Sequence, residues 1–221
     1  MDVDLTFTTP GSMLVHGPPG SGKTTFCAQM FENYTKVTGA KLPIKKFTLF
    51  YSNWQEDLYT RLLKALPKDC ETNCIHGFNR GHTDADYFQA PTGGIHAVVF
   101  DDLNVVFKNK ELAAFLFKLC TVMMRHERIH AVIILHSLFS TQMPFLADLR
   151  KNVTEIVLLN GTSGATLHSL AKELMPEKPS TLITMAKDAF SHYGHLIIST
   201  RSKHPYRTNY FAEIPSIYVP D

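Results

Sequence analysis

The 221-residue sequence has no apolar run approaching the roughly 18 residues of a membrane-spanning helix, which excludes a helical integral membrane protein. Its opening residues, Met1-Asp2-Val3-Asp4, show neither a basic n-region nor an apolar h-region, so a soluble, intracellular protein is expected. Excess charge of one sign is missing too. Twenty-two Lys and Arg face 20 Asp and Glu, a net charge of +2. That balance is too mild to argue nucleic-acid binding by itself. There is no internal repeat and no low-complexity linker, and 44% hydrophobic with 19% charged residues is ordinary globular composition. One domain spanning residues 1–221 is expected, large enough to fill a core without staples. Cysteine is sparse: Cys27 and Cys120 fall in helical patterns and read as buried thiols. Cys70-x-x-x-Cys74-x-His76, with His82 nearby, can be drawn as a zinc site, but the spacing is loose and no second paired motif accompanies it.

What the chain does contain is Gly17-Pro18-Pro19-Gly20-Ser21-Gly22-Lys23-Thr24, which fits the phosphate-loop pattern G-x-x-x-x-G-K-[ST] at every fixed position. Glycines let the backbone curl so that its N–H groups converge on phosphate oxygens. Lys23 is placed for the β- and γ-phosphates, and the Thr24 hydroxyl for Mg²⁺. Met13-Leu14-Val15 reads as a buried strand entering the loop. Phe26, Met30 and Tyr34 recur at helical spacing beyond it, over residues 24–36, so a helix N-terminus faces the phosphates. ATP is the expected ligand, held by Gly17 through Thr24 and the following Thr25.

A second motif supplies carboxylates. His96-Ala97-Val98-Val99-Phe100 runs into Asp101-Asp102, the pattern of a buried parallel strand delivering acids to its carboxyl end, beside the phosphates. Asp101 is then the metal aspartate, with Thr24 its partner. Asp102 is the candidate for orienting or deprotonating the attacking water. Another strand, Ala131–Leu135, ends at His136-Ser137, where a polar side chain can act as a sensor of the γ-phosphate or, equally, as a plain strand-end cap.

The remaining pattern fills out an α/β chain. Phe47–Tyr51 reads as a strand, and Leu58, Leu62, Leu63 and Leu66 as an amphipathic helix. Residues 67–94 read as loops with room for one short strand or helix. Leu112, Phe115, Leu116, Leu119, Cys120 and Met123 trace one helical face. Glu155–Asn160 reads as a strand, followed by two helices marked by Leu167, Leu170 and Leu174, then Leu182, Ile183, Ala186 and Phe190. A C-terminal hairpin is expected to pair Leu196-Ile197-Ile198 with Tyr210-Phe211 around a basic turn holding Arg201, Lys203 and Arg207. The expected fold is a three-layer P-loop NTPase sandwich, with a mainly parallel central sheet and a terminal antiparallel hairpin.

Several phosphate-loop families fit part of this. A nucleoside monophosphate kinase matches the size, but no arginine-rich lid or DR-type acceptor motif follows the Asp pair beyond Arg125 and Arg128. An AAA+ ATPase matches the Gly-Pro-Pro-Gly-Ser-Gly-Lys-Thr-Thr loop, yet the chain after Asn160 is short and strand-rich for a helical lid domain. A helicase-like DNA-dependent ATPase is a further alternative. Taken block by block, the chain resembles the genome-packaging ATPases of the FtsK/HerA superfamily, in the compact form found in poxvirus-like, adenovirus-like and Polinton-type double-stranded DNA viruses. The likeness runs from Pro10–Val15 through Tyr51-Ser52-Asn53-Trp54-Gln55, Val99–Leu103, Arg125-His126, Leu138-Phe139 and Arg150-x-Asn152 to Gly194–Ile198. The family usually carries glutamine at the position of His136; a histidine there makes any sensor role depend on its protonation.

The resemblance implies Mg²⁺-dependent ATP hydrolysis that drives double-stranded DNA into a capsid. It also implies a homo-oligomeric ring, pentamer or hexamer, a capsid vertex or portal-like partner, and a host-cell setting (cytoplasm or nucleus) with virion association. In such rings an arginine of one subunit enters the neighbour's site. Arg150, read as lying just before a strand rather than mid-helix, is the first candidate, then Arg125, then Arg128; an internal salt bridge is the competing role for each. The Lys41–Lys46 connection and the Arg201–Arg207 turn are the candidate contacts to the DNA backbone, which such motors grip by charge.

Overall fold

Residues with period-two alternation but no exposed face build the centre of the molecule. The computed structural model describes residues 6–140, 145–192, 194–200, 202, 205–208 and 216–219, without the side chains of 104 and 105. Among the described residues nine strands form one sheet: β1 (Gly11–His16), β2 (Ile44–Tyr51), β3 (Glu71–His76), β4 (Ile95–Asp101), β5 (Ile129–Leu135), β6 (Glu155–Leu159), β7 (His195–Ser199), β8 (Tyr206–Thr208) and β9 (Ser216–Tyr218). Their order across the sheet is β3-β2-β4-β5-β1-β6-β7-β8-β9. Neighbours from β3 to β6 pair in parallel, and β6 to β9 pair antiparallel. Every residue of β1, β4, β5 and β6 is buried, as expected of parallel strands covered on both faces.

Met13, Val15, Leu49, Val99 and Ile134 turn to one face. There they meet Phe26, Met30 and Phe31 of α1 (Lys23–Glu32), Val37 of α2 (Tyr34–Thr38) and Tyr59 and Leu62 of α3 (Glu56–Lys64). Leu14, Phe50, Val98, Phe100 and Ile133 turn to the other face. That side is covered by α4 (Asn104–Lys108), α5 (Lys110–Lys118), a π-helical stretch at Leu119–Met123, α6 (Met124–His126), α7 (Phe145–Asn152), α8 (Gly164–Leu174) and α9 (Pro179–His192). The expected three-layer sandwich with its mainly parallel sheet is what forms.

The differences are local and have causes. One continuous helix over 24–36 is expected, but the chain breaks at Asn33, whose side chain donates to Gln29 O (2.9 Å). β3 is the short strand for which the 67–94 stretch left room; its alternation is weak because it is an edge strand, largely exposed. Leu66 lies beyond the end of α3 although it is buried. Arg207 is no turn residue. It belongs to β8, fully buried, with its guanidinium donating to Thr6 O (3.1 Å) and lying over Phe7, so it is withdrawn from the DNA-contact candidates. Arg201, Lys203, Tyr210 and Phe211 lie outside the described residues.

Three core histidines set an acid limit on this fold. Burial pushes His16, His96 and His130 down to about 4 from 6.5. The folded state holds them neutral while the unfolded chain takes protons below pH 6.5, so their contribution is intact above that pH and is lost as pH falls towards 4, each worth up to about 3 kcal/mol. Burial raises the carboxyls of Asp101 and Glu155, which opposes this in sign but involves fewer groups. We expect the urea midpoint to drop between pH 7 and pH 5; a midpoint that holds or rises would contradict the buried neutral histidines.

Candidate active site

The carboxyl edge of the parallel strands is where the chemistry collects. β1 ends at His16, and the phosphate loop then turns into α1. Gly17 has no room for a side chain: a Cβ there would stand 2.3 Å from Ser21 Oγ and 3.0 Å from Leu159 Cβ. Gly22, the residue that caps α1, has φ 87°, a left-handed conformation that glycine adopts without steric cost. Ser21 N donates to Pro18 O (3.2 Å), closing the loop. Lys23 folds back over it, its ammonium donating to Gly17 O (2.9 Å) and Pro18 O (2.8 Å). Burial lowers the Lys23 pKa from 10.5, against the pull of Asp101 and Asp102 in the other direction.

β4 lies two strands from β1, with β5 between, and delivers Asp101 beneath the loop. The Asp101 carboxylate is buried, and its Oδ2 accepts from Thr24 Oγ1 (3.2 Å) and from Tyr59 Oη (2.8 Å). Its pKa is raised by desolvation, which outweighs those two bonds. Asp102 follows with φ 55°, a strained backbone for a side-chain-bearing residue. That turn leaves its carboxylate half-exposed, with Oδ1 3.3 Å from His136 Nε2.

His136, the first residue after β5, links the two halves of the site. Its Nδ1 lies 3.2 Å from Lys23 Nζ. Since an ammonium only donates, Nδ1 must accept, and a proton on Nε2 then points at Asp102; the tautomer is assigned from these contacts. Lys23, His136 and Asp102 thus form one polar chain in the wall of a cleft of about 290 Å³, which is also lined by Pro19, Gly20, Thr24, Thr25, Gln55 and Leu58. Loop amides, an ammonium, a hydroxyl–carboxylate pair and a second carboxylate facing one cleft are suited to a triphosphate with a divalent cation. Thr24 and Asp101 are the donors that fit such a cation.

Two residues at this site were not singled out from sequence. Tyr59 is lost among the leucines of α3, since nothing local signals that its hydroxyl meets a residue 42 positions on. His16 closes β1, just past the Met13-Leu14-Val15 read as a strand, and lies close enough to Lys23 for the ammonium's charge to act on it.

The arginines divide. Arg150 lies in the last turn of α7, not in a free connection before a strand. It is buried: Nη2 and Nε donate to Glu173 Oε2 (2.8 and 3.2 Å), Nη1 donates to Leu138 O (2.5 Å), and the guanidinium stacks over Phe139 at 3.9 Å. That is the internal salt bridge weighed against the finger, and the reading of Arg150 as lying before a strand rather than within a helix is corrected. Arg128 donates to Pro91 O (3.3 Å) and is half-buried. Arg125 is exposed, at the amino end of β5 and so at the opposite sheet edge from the phosphate loop. Of the basic connection, Lys45 and Lys46 belong to β2, and Lys46 donates to Tyr87 O (2.8 Å) beneath the Tyr87 ring; Lys41 is exposed. Among the described residues no group of three or more His, Cys, Asp or Glu is arranged to hold a metal by itself; His76 contacts Ser52 O and His82 Nδ1 accepts from Asn79 N.

Sheet, loop and site together define a P-loop NTPase fold. The chain belongs to the AAA domain family, which matches residues 6–151. This overrides the argument from the chain after Asn160 against an AAA-type protein: the match ends before α8 and α9, which pack on the same sheet face as α4 to α7. The genome packaging NTPase B204 of Sulfolobus turreted icosahedral virus 2, in complex with AMP, is similar with TM-score 0.59 at 15% identity, over 87% of this chain and 94% of that one. Its complex with AMPPCP gives 0.57 at 14%, over 96% and 98%. The DNA-packaging ATPase B204 of Sulfolobus turreted icosahedral virus gives 0.57 at 13%, over 97% and 99%. At these identities the likeness is one of fold. A comparison with curated protein sequences found no match. No helix among the described residues is long and apolar enough to cross a membrane.

Proposed function

We propose that this protein hydrolyses ATP and, in a ring of identical subunits, uses the reaction to move double-stranded DNA into a viral capsid. The observation that carries the reading is the polar chain from Lys23 through His136 to Asp102, set over the Thr24–Asp101 pair. The packaging step draws support from a fold shared with packaging NTPases over nearly the whole chain.

Loop amides of Gly20 to Thr25 and the Lys23 ammonium bind the β- and γ-phosphates and offset charge that grows as the γ-phosphoryl group transfers. Mg²⁺, held through Thr24 and Asp101, would neutralise and orient the same oxygens. Asp102 orients the water for in-line attack and accepts its proton, giving ADP and orthophosphate. His136 holds Lys23 and Asp102 in one arrangement, which is the sensor role in geometric form. A glutamine offers the same pair of contacts, an amide oxygen for Lys23 and an N–H for Asp102. His136→Gln is therefore expected to stay within about tenfold of the parent ATPase rate, and His136→Ala to fall about a hundredfold; equal losses in both would remove His136 from this role.

Arg125 replaces Arg150 as the proposed arginine acting on a neighbour's site, because it is exposed while Arg150 is held inside. DNA is gripped through phosphates without base reading, and a capsid vertex or portal-like protein in the infected cell is the proposed docking partner. ATP labelled at the γ-phosphate, incubated with the protein and DNA, should release the label as orthophosphate. Label recovered instead on an added nucleoside or nucleoside monophosphate would make the protein a small-molecule kinase.

A further inference from the structure

Tyr59 has a partner that its place in the fold does not require. It is 1% exposed on α3, and its ring is packed edge-on against Trp54 (5.0 Å between centroids) and tilted against Tyr51 (5.9 Å). With the ring held between these neighbours, its hydroxyl has little freedom, and it donates to Asp101 Oδ2 at 2.8 Å. Thr24 donates to the same oxygen. Thr24 can offer a lone pair to a cation and still donate its proton to Asp101, but its position is then tied to the cation, whereas Tyr59, on another element, holds the same oxygen independently of it.

We infer that Tyr59 is a positioning residue for the divalent cation: it holds the Asp101 carboxylate in the rotamer that presents its other oxygen to the cleft, and so sets the affinity for Mg²⁺ rather than for the nucleotide. The inference rests on the reading of Asp101 as the metal aspartate. Tyr59 acts through Asp101: it is buried and is not among the residues that line the cleft. A residue that only filled space in α3 would lose nothing when its hydroxyl alone is removed, because the ring that packs remains.

The test is the binding of a fluorescent, non-hydrolysable ATP analogue to the full chain, followed by anisotropy across a Mg²⁺ titration and again in EDTA. For Tyr59→Phe the Mg²⁺ concentration giving half-maximal enhancement should rise about tenfold, the size expected for losing a hydrogen bond to a charged group, while affinity in EDTA stays that of the parent. Thermal melting reports separately whether the variant is folded. An unchanged Mg²⁺ titration, or equal weakening with Mg²⁺ and in EDTA, overturns the inference. Asp101→Asn keeps the two readings apart. It should abolish the Mg²⁺ enhancement; if enhancement survives there, the metal role of Asp101 itself is wrong. If it disappears there but Tyr59→Phe behaves as the parent, only the role of Tyr59 falls.

Discussion

Lys23→Ala should lower the ATP turnover rate by about a thousandfold or more while leaving the fold standing. Among the described residues that line the cleft the ammonium is the one full positive charge, and it sits in a partly desolvated place where charge interactions are stronger than in bulk water. Its bonds to Gly17 O and Pro18 O keep it over the loop. Removing it also frees His136 Nδ1 from its donor, so the Asp102 end of the chain loses its support in the same step. Stability should respond little. Burial already disfavours the charged lysine, so losing it relieves a cost that offsets the loss of its bonds to the buried Gly17 O and the half-buried Pro18 O. A change within about 1 kcal/mol, or some 2–4 °C in Tm for a chain of this size, is expected. A turnover loss under tenfold in folded protein would mean that Lys23 does not meet the reacting phosphate.

Arg150→Ala should do the reverse, costing about 3–5 kcal/mol of stability. The guanidinium is nearly enclosed, and its removal strands Glu173 Oε2 in a half-buried setting with no compensating cation. The Leu138 carbonyl and the face of Phe139 lose their partner as well. Breaking one side of a buried pair is costlier than never having the pair, because the remaining charge stays desolvated. Denaturant titration of Arg150→Ala, Glu173→Gln and the double variant should therefore show coupling, the double costing less than the sum of the singles. If Arg150→Ala leaves the denaturation midpoint in place yet abolishes ATPase activity, the arginine is leaving its pocket to act on a neighbour after all.

The two arginine readings show where sequence stops being informative. Arg150 and Arg125 both precede a strand, and spacing cannot tell a clamped guanidinium from a solvated one; the distinction depends on Glu173, which comes from a helix 23 residues on. The phosphate loop, by contrast, is legible because its function lies in the backbone, and the glycines that permit that backbone are written locally. Asp101 and Asp102 were legible for a similar reason: an apolar run buried on both faces has to end in polar residues at the sheet edge. The link between them and Lys23 through His136 depends on strand order, β4-β5-β1, which no local pattern encodes. Tyr59 was missed because a buried tyrosine on an apolar helix face carries no mark of what its hydroxyl meets. β3 could be allowed for but not placed, because edge strands need not alternate cleanly, and Arg207 was misplaced because a basic residue in a short strand looks like one in a turn.

The measurement that bears most directly on the proposed motor is the ATPase rate per subunit as a function of protein concentration, with and without double-stranded DNA, for the parent chain and Arg125→Ala. A ring in which one subunit completes its neighbour's site predicts a rate per subunit that climbs with concentration, rises further with DNA, and collapses in Arg125→Ala although ATP still binds. A rate per subunit that is flat with concentration and indifferent to both DNA and Arg125 would contradict it.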